Sequence, residues 1–253
     1  MYTDEELIAL EEEEHTLTLE AIMVMLLALG VTHNELEKEL RAFYQKYGTD
    51  GIVTYQEARR WVSDKDHRSR IVLLLLFINS KFNDLLGEIK APFNSSLRSV
   101  IAKESEFFGV DLDAEDLLYD KWGADEAMWL ERLEDDVELW YHNISKDIKQ
   151  RLLKRDSIDD VLDDLDKRFT SIEKVLKRLA LTESTAMGSI ARRKIFKELG
   201  IKKYRFYARE DERTCEHCGA LHGLVFPMTA YEVGVTASPI HAHCRCWEIP
   251  IVD

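Results

Sequence analysis

Residues 158–179, IDDVLDDLDKRFTSIEKVLKRL, place apolar side chains at Ile158, Val161, Leu162, Leu165, Phe169, Ile172, Val175, Leu176 and Leu179. These three- and four-residue steps continue for about six turns and gather all nine on one face of an α-helix. Asp159, Asp160, Asp163 and Asp164 crowd the first turns, and Lys174, Lys177 and Arg178 lie near the end. That order suits the helix dipole. The stripe predicts a long helix seated on a core, with a docking face for a partner helix or subunit as the second reading.

Upstream, Leu17 to Leu29 reads as a helix apolar almost all round, stopped by Gly30. Thr32 with Glu35 forms a capping box for a second helix carrying Leu36, Leu40 and Phe43 and ending at Gly48. Thr54 with Glu57 opens a short helix through Trp61, and Ile71 to Ile89 predicts another that stops before Pro92. Trp122, Trp129 and Trp140 lie in or beside helical stretches between about 113 and 155.

Composition narrows the class. The 253 residues are 45% hydrophobic and 32% charged, enough for folded cores without disulfide support. Four Pro and eleven Gly are too few for a turn-rich all-β chain. The longest uncharged apolar runs, Ala21 to Val31 and Ile71 to Ile78, fall short of the roughly 20 residues a bilayer demands. Asp4, Glu5 and Glu6 stand where a signal peptide needs positive charge. The expectation is a soluble, mostly helical protein kept in a reducing compartment, with no membrane partner.

Charge is unevenly spread. Residues 1–144 hold 14 basic and 31 acidic side chains, residues 145–253 hold 20 and 17, and the whole chain carries −14. An acidic amino-terminal half is the wrong sign for phosphate backbones. The acidic run Glu11 to Glu14 reads as a solvated helical face or a contact for a basic protein surface. The candidate DNA contacts are Arg192, Arg193, Lys194, Lys197, Lys202, Lys203 and Arg205, diluted by acids nearby. Tyr204, Phe206 and Tyr207 beside them read as strand residues packing on the cysteine module.

All four cysteines and three of the four prolines fall in the last 39 residues. Cys215-x-x-Cys218 is followed, after 22 intervening residues, by His241-x-x-Cys244-x-Cys246. A Cys-x-x-Cys turn can aim two thiolates at one ion, and the second cluster supplies the rest of a tetrahedron. Soft sulfur with one imidazole favours zinc over calcium or magnesium. The first-choice ligands are Cys215, Cys218, His241 and Cys244, with Cys246 able to replace His241. His217 is expected to face water, and His222 and His243 to be hydrogen-bonded or solvent-facing. With four positions filled, the single zinc is read as structural, holding the carboxyl module but not the helices before it.

The order of motifs around these ligands resembles a known family. Arg178-Leu179-Ala180-Leu181-Thr182-Glu183 and a helix to Gly200 lead through Tyr204-Arg205-Phe206-Tyr207-Ala208 to Asp211-x-Arg213-Thr214-Cys215-x-x-Cys218. Leu221-x-Gly223-x-Val225-Phe226 and Pro239-x-His241-x-x-Cys244-Arg245-Cys246 follow. Over about residues 178–253 this is similar to the Mu F-like head morphogenesis proteins, the minor head or minor capsid proteins of tailed bacteriophages. Ala242 stands where the family usually has proline.

The resemblance implies a non-enzymatic virion protein, a few copies bound at the portal vertex inside the head, made in the host cytoplasm. It would support head morphogenesis and DNA packaging or delivery. The portal is the implied partner, the scaffold or major capsid protein further candidates, and packaged DNA a weak contact. A stand-alone zinc module binding nucleic acid and a metal-dependent nuclease are the alternatives. The expected organisation is a mainly α chain: a helical, portal-binding body over 1–155, long helices over 156–200, and a small α+β zinc-knuckle module over 201–253.

Overall fold

The computed structural model describes residues 3–60, 68–209 and 211–252. Six helices come first: α1 (Asp4–Tyr47), α2 (Tyr55–Ala58), α3 (Arg70–Phe108), α4 (Ala114–Leu118), α5 (Trp129–Lys154) and α6 (Ile158–Glu198). The carboxyl-terminal segment adds β1 (Lys203–Tyr207), α7 (Glu216–Leu221), β2 (Val225–Pro227) and β3 (Trp247–Ile251). A mainly α chain with a small α+β module at its end is therefore what forms.

The helices are longer than their local signals predict. Gly30 lies inside α1, and Thr32, expected to cap a second helix, is buried in that same helix. One interior glycine costs about 1 kcal/mol relative to alanine. Burial of Leu29, Leu36, Leu40 and Phe43 outweighs it at about 1.5–3 kcal/mol per large side chain. Pro92 likewise sits inside α3 instead of ending it. The ring removes one N–H, but Leu85, Ile89, Phe93 and Leu97 on the same helix are buried. α2 keeps its Thr54–Glu57 capping box but turns off at Arg59; Trp61 lies outside the described residues.

α1 does stop at Gly48, for a steric reason. A Cβ there would lie 2.5 Å from the Tyr44 carbonyl oxygen and 2.8 Å from that of Ile52. Gly48→Ala is expected to cost about 1–3 kcal/mol, the usual penalty of overpacking, read as a lower urea midpoint with an unchanged slope.

α1 also corrects the membrane reading of the sequence. An 18-residue window within Glu5–Tyr47 reaches a mean hydropathy of 1.7, so this helix is long and apolar enough, by composition, to cross a bilayer. The uncharged runs looked too short because Glu20 interrupts them; the continuous helix does not end there.

Compact units do not follow the expected linear order. One consists of residues 1–23, 92–132 and 176–253, the other of 24–91 and 133–175. α1, α3, α5 and α6 each contribute a segment to both. In the second unit the 158–179 stripe is seated as its period requires: Val161, Leu162, Leu165, Phe169 and Ile172 are buried, and Phe169 packs 6.4 Å from Phe82. Ser157 and Asp160 exchange side-chain and backbone hydrogen bonds to cap the start of α6.

In the first unit, an antiparallel sheet of order β2-β1-β3 aligns Tyr204 with Phe226 on one side and with Pro250 on the other. Tyr204 and Phe206 are wholly buried. Tyr207 stacks on Trp247 at 4.7 Å. These aromatics are strand and core residues.

Arg192 is not at the surface. On α6 it is 4% exposed, and its guanidinium donates to Glu104 of α3 at 2.6 Å and Glu248 of β3 at 3.1 Å. Glu248 also accepts from the Ser238 N–H, the Ser189 hydroxyl and the Tyr231 hydroxyl. Arg193 is half-buried against Asp120, and Arg205 is partly buried on β1. Of the candidate DNA contacts, only Lys194, Lys197, Lys202 and Lys203 are exposed.

Glu14 of α1 completes this cluster 3.9 Å from Arg192. Burial, then the charge of Glu104, pushes its carboxyl well above the ordinary glutamate range. Burial raises Glu104 as well, while Arg192 opposes the rise. A raised folded-state pKa means stability that is complete below the unfolded value near 4.3 and lost as pH climbs through the folded value. Glu14→Gln is therefore expected to match the parent at pH 4–5 and to become progressively more stable than it toward pH 9. Urea midpoints across that range check the sign.

Candidate metal centre

Two turns of the carboxyl-terminal segment converge. Cys215 caps α7, its Sγ accepting the Cys218 N–H at 3.3 Å, so the Cys-x-x-Cys spacing places both sulfurs at one helix start. His241 Nε2 lies 3.1 Å from Cys215 Sγ and 3.2 Å from Cys218 Sγ. Cys218 Sγ lies 3.8 Å from Cys244 Sγ. That is far beyond a disulfide bond, and all four cysteines are free. It equals the sulfur–sulfur edge of about 3.8 Å that a tetrahedron with Zn–S bonds of about 2.3 Å requires.

Five donors gather here in two overlapping groups. Cys215, Cys218 and His241 form one group that could hold a metal ion, and Cys218, Cys244 and Cys246 form a second that shares Cys218. Of the four first-choice ligands, Cys215, Cys218 and His241 are thus brought together, and Cys244 joins them through Cys218, with Cys246 buried beside Cys218 and Cys244. His241 is pre-set for ligation: its Nδ1–H donates to the Ala242 carbonyl at 2.8 Å, leaving the Nε2 lone pair toward the thiols.

Crowded thiols cannot all ionise without a cation. The Cys246 thiol bonds to Cys244 and lowers it to about 6, and Cys246 itself is pushed far upward by the same bond and by burial. Burial, then the charge of Cys244, raises Cys218 to about 12. A divalent ion replaces those protons and removes the conflict. Of the other histidines weighed as ligands, His217 and His243 are exposed, and His222 is hydrogen-bonded through Nδ1 to the backbone of Ala208.

Below the sulfurs, Phe206 and Ala208 of the β1 segment pack with Cys218, Cys244 and Cys246, and Leu221, Phe226 and Ile240 close the cluster. Above them, Arg245 donates to both oxygens of Asp211 at 2.7 and 2.6 Å. That fork ties the segment before the first cysteine pair to the turn holding the second. Its hydrogen bonds, then the Arg213 N–H, hold the Asp211 carboxyl well below the usual range. The sequence reading missed this pair because nothing local links residues 34 positions apart. Arg209, which the sequence reading placed in the basic stretch, instead reaches Glu11 and Glu12 of α1 and so gives part of the acidic run a partner within the chain. A cleft of about 770 Å³ flanks the centre, lined by Glu11, Glu12 and His15 as well as by Arg209, Arg213 and His243.

Residues 141–249 match the family described as Phage Mu protein F like protein. The match starts in α5, well upstream of residue 178 where the motifs become recognisable, and ends in β3. No curated protein and no solved structure matches the chain. Over residues 141–249, from the middle of α5 through α6 to the sheet and its Cys/His cluster, the chain is similar to the Mu F-like family.

Proposed function

We propose that the protein is a minor head protein of a tailed phage, bound at the portal vertex inside the head, where it supports morphogenesis and DNA packaging or delivery. One observation carries the reading: the family match spans the same residues that build the sheet and the Cys/His cluster. The cluster acts as a structural centre for one zinc ion. Five Cys and His donors in two overlapping groups are enough to supply four ligands from the protein alone, which favours a structural over a catalytic ion. The role is not enzymatic. The four exposed lysines from Lys194 to Lys203 offer at most a weak, salt-sensitive contact with packaged DNA.

Truncation is a poor test of which part binds the portal. Cutting after Gly200 removes the strands that complete the first unit and leaves Arg192 without Glu248. The full chain co-expressed with the cognate portal is the better sample. Co-elution with the assembled portal ring, with no cleavage of supercoiled plasmid in magnesium, is the expected result. Absence of co-elution, or magnesium-dependent cleavage lost in His243→Ala, would overturn the reading.

A further inference from the structure

Four residues of the cysteine motifs, Asp211, Arg213, Thr214 and Arg245, stand outside both donor groups. The first three close a turn of their own. The Asp211 N–H donates to the Thr214 hydroxyl at 3.2 Å and the Arg213 N–H to Asp211 Oδ1 at 2.9 Å. The Thr214 N–H donates to the Asp211 carbonyl at 3.0 Å, and the Thr214 hydroxyl to the Arg209 carbonyl. The next residue is Cys215, which caps α7 and so fixes Cys218 one helical turn on. The first half of the centre therefore moves with Asp211.

The second half is fastened to α6. Thr185 donates to the Cys244 carbonyl at 3.3 Å, and the Thr182 hydroxyl accepts the His243 N–H at 3.3 Å. The Cys244 N–H donates to the His241 carbonyl at 3.1 Å and closes that turn. Arg245 stands between Cys244 and Cys246, so a shift of its backbone displaces both sulfurs. From there its guanidinium takes both oxygens of Asp211. The two ligand-bearing turns are thus clamped to each other by bonds that involve no donor atom.

We propose, on the reading of the cluster as a zinc centre, that the Asp211–Arg245 fork is its positioning pair, holding the two turns in register and setting how slowly a bound ion escapes. An ion leaves such a site as its ligands let go in succession. A released turn that stays clamped keeps its donors at high local concentration, and they rebind; an unclamped turn swings away. Arginine suits the task, because its planar fork meets a carboxylate in one fixed orientation and lysine cannot. Half-exposed ion pairs contribute little unless they are bidentate, as this one is. A cation between two thiolates also acts through its charge alone, and the variants below separate the two effects.

Zinc-loaded, reduced full chain is mixed with excess chromophoric chelator, and transfer of the ion is followed by absorbance. Arg245→Met and Asp211→Asn are each expected to release zinc at least about tenfold faster than the parent, the scale on which outer partners control a metal site. The double variant should be no faster than the faster single, since both changes break one contact. Arg245→Lys should also be fast, as it keeps the charge and loses the fork. Cobalt(II) in place of zinc should give the parent intense tetrahedral d–d bands. Arg245→Met and Arg245→Lys should weaken them, a signature that a loss of stability alone does not produce. Should Arg245→Met fail to fold, Asp211→Asn and Arg245→Lys carry the same readouts. Release at the parent's rate in Asp211→Asn overturns the inference, as does a double variant whose effect is the product of the singles. Arg245→Lys at the parent's rate assigns the effect to charge and overturns it too. A reduced parent that takes up neither zinc nor cobalt overturns the zinc reading itself, and the role of the fork with it.

Discussion

Arg192→Met is expected to lose at least about 3–5 kcal/mol of stability, the cost of removing one partner from a buried ion cluster. Its guanidinium is the cation between Glu104 on α3 and Glu248 on β3, both wholly buried, with Glu14 of α1 at the edge. Without it, two carboxylates must either remain charged in a dry interior or take up protons. The loss is measured by urea unfolding followed at the tryptophans. Arg192→Met with Glu14→Gln, Glu104→Gln and Glu248→Gln should recover most of it, since no charge of the cluster then stays buried. If the single variant costs less than 1 kcal/mol, the cluster does not hold the first unit together.

The larger effect belongs to the metal. Structural zinc in small modules contributes about 10–16 kcal/mol of apparent binding energy at neutral pH, more than a core of this size supplies. Chelation should expose the chain to protease from about residue 204 onward. Residues 24–91 and 133–175 should stay helical, because none of the five donors lies in that unit. Cys218→Ser should have the same effect as chelation, as Cys218 is common to both donor groups. Cys246→Ser separates the ligand sets: a full loss means sulfur replaces His241 around the ion, and a mild one means Cys246 packs in the core. Resistance of the residues after 204 to protease in excess chelator would count against a structural ion.

What could be read from the sequence follows from how local each determinant is. The 158–179 stripe was legible because helical periodicity repeats within a window and needs no distant partner. The cysteine module was legible for the same reason, two short clusters each with ligand spacing. Gly30 and Pro92 misled because a local breaking signal of about 1–3 kcal/mol competes with tertiary burial that no window contains. The extended helices then carry residues of α1, α3, α5 and α6 into both units, so that linear domain boundaries dissolve. Arg192 looked like a surface cation in a basic stretch. Its partners lie 88 and 56 residues away, and only the fold brings them together. The Arg245–Asp211 fork across the two cysteine turns was hidden in the same way.

Metal analysis combined with X-ray absorption on the purified, reduced, folded chain tests the central claim that its Mu F-like module is built around a structural ion. One zinc per chain is expected, with sulfur at about 2.3 Å and, where His241 is a ligand, one nitrogen at about 2.0–2.1 Å. A folded and unoxidised sample holding substantially less than one zinc per chain would contradict it.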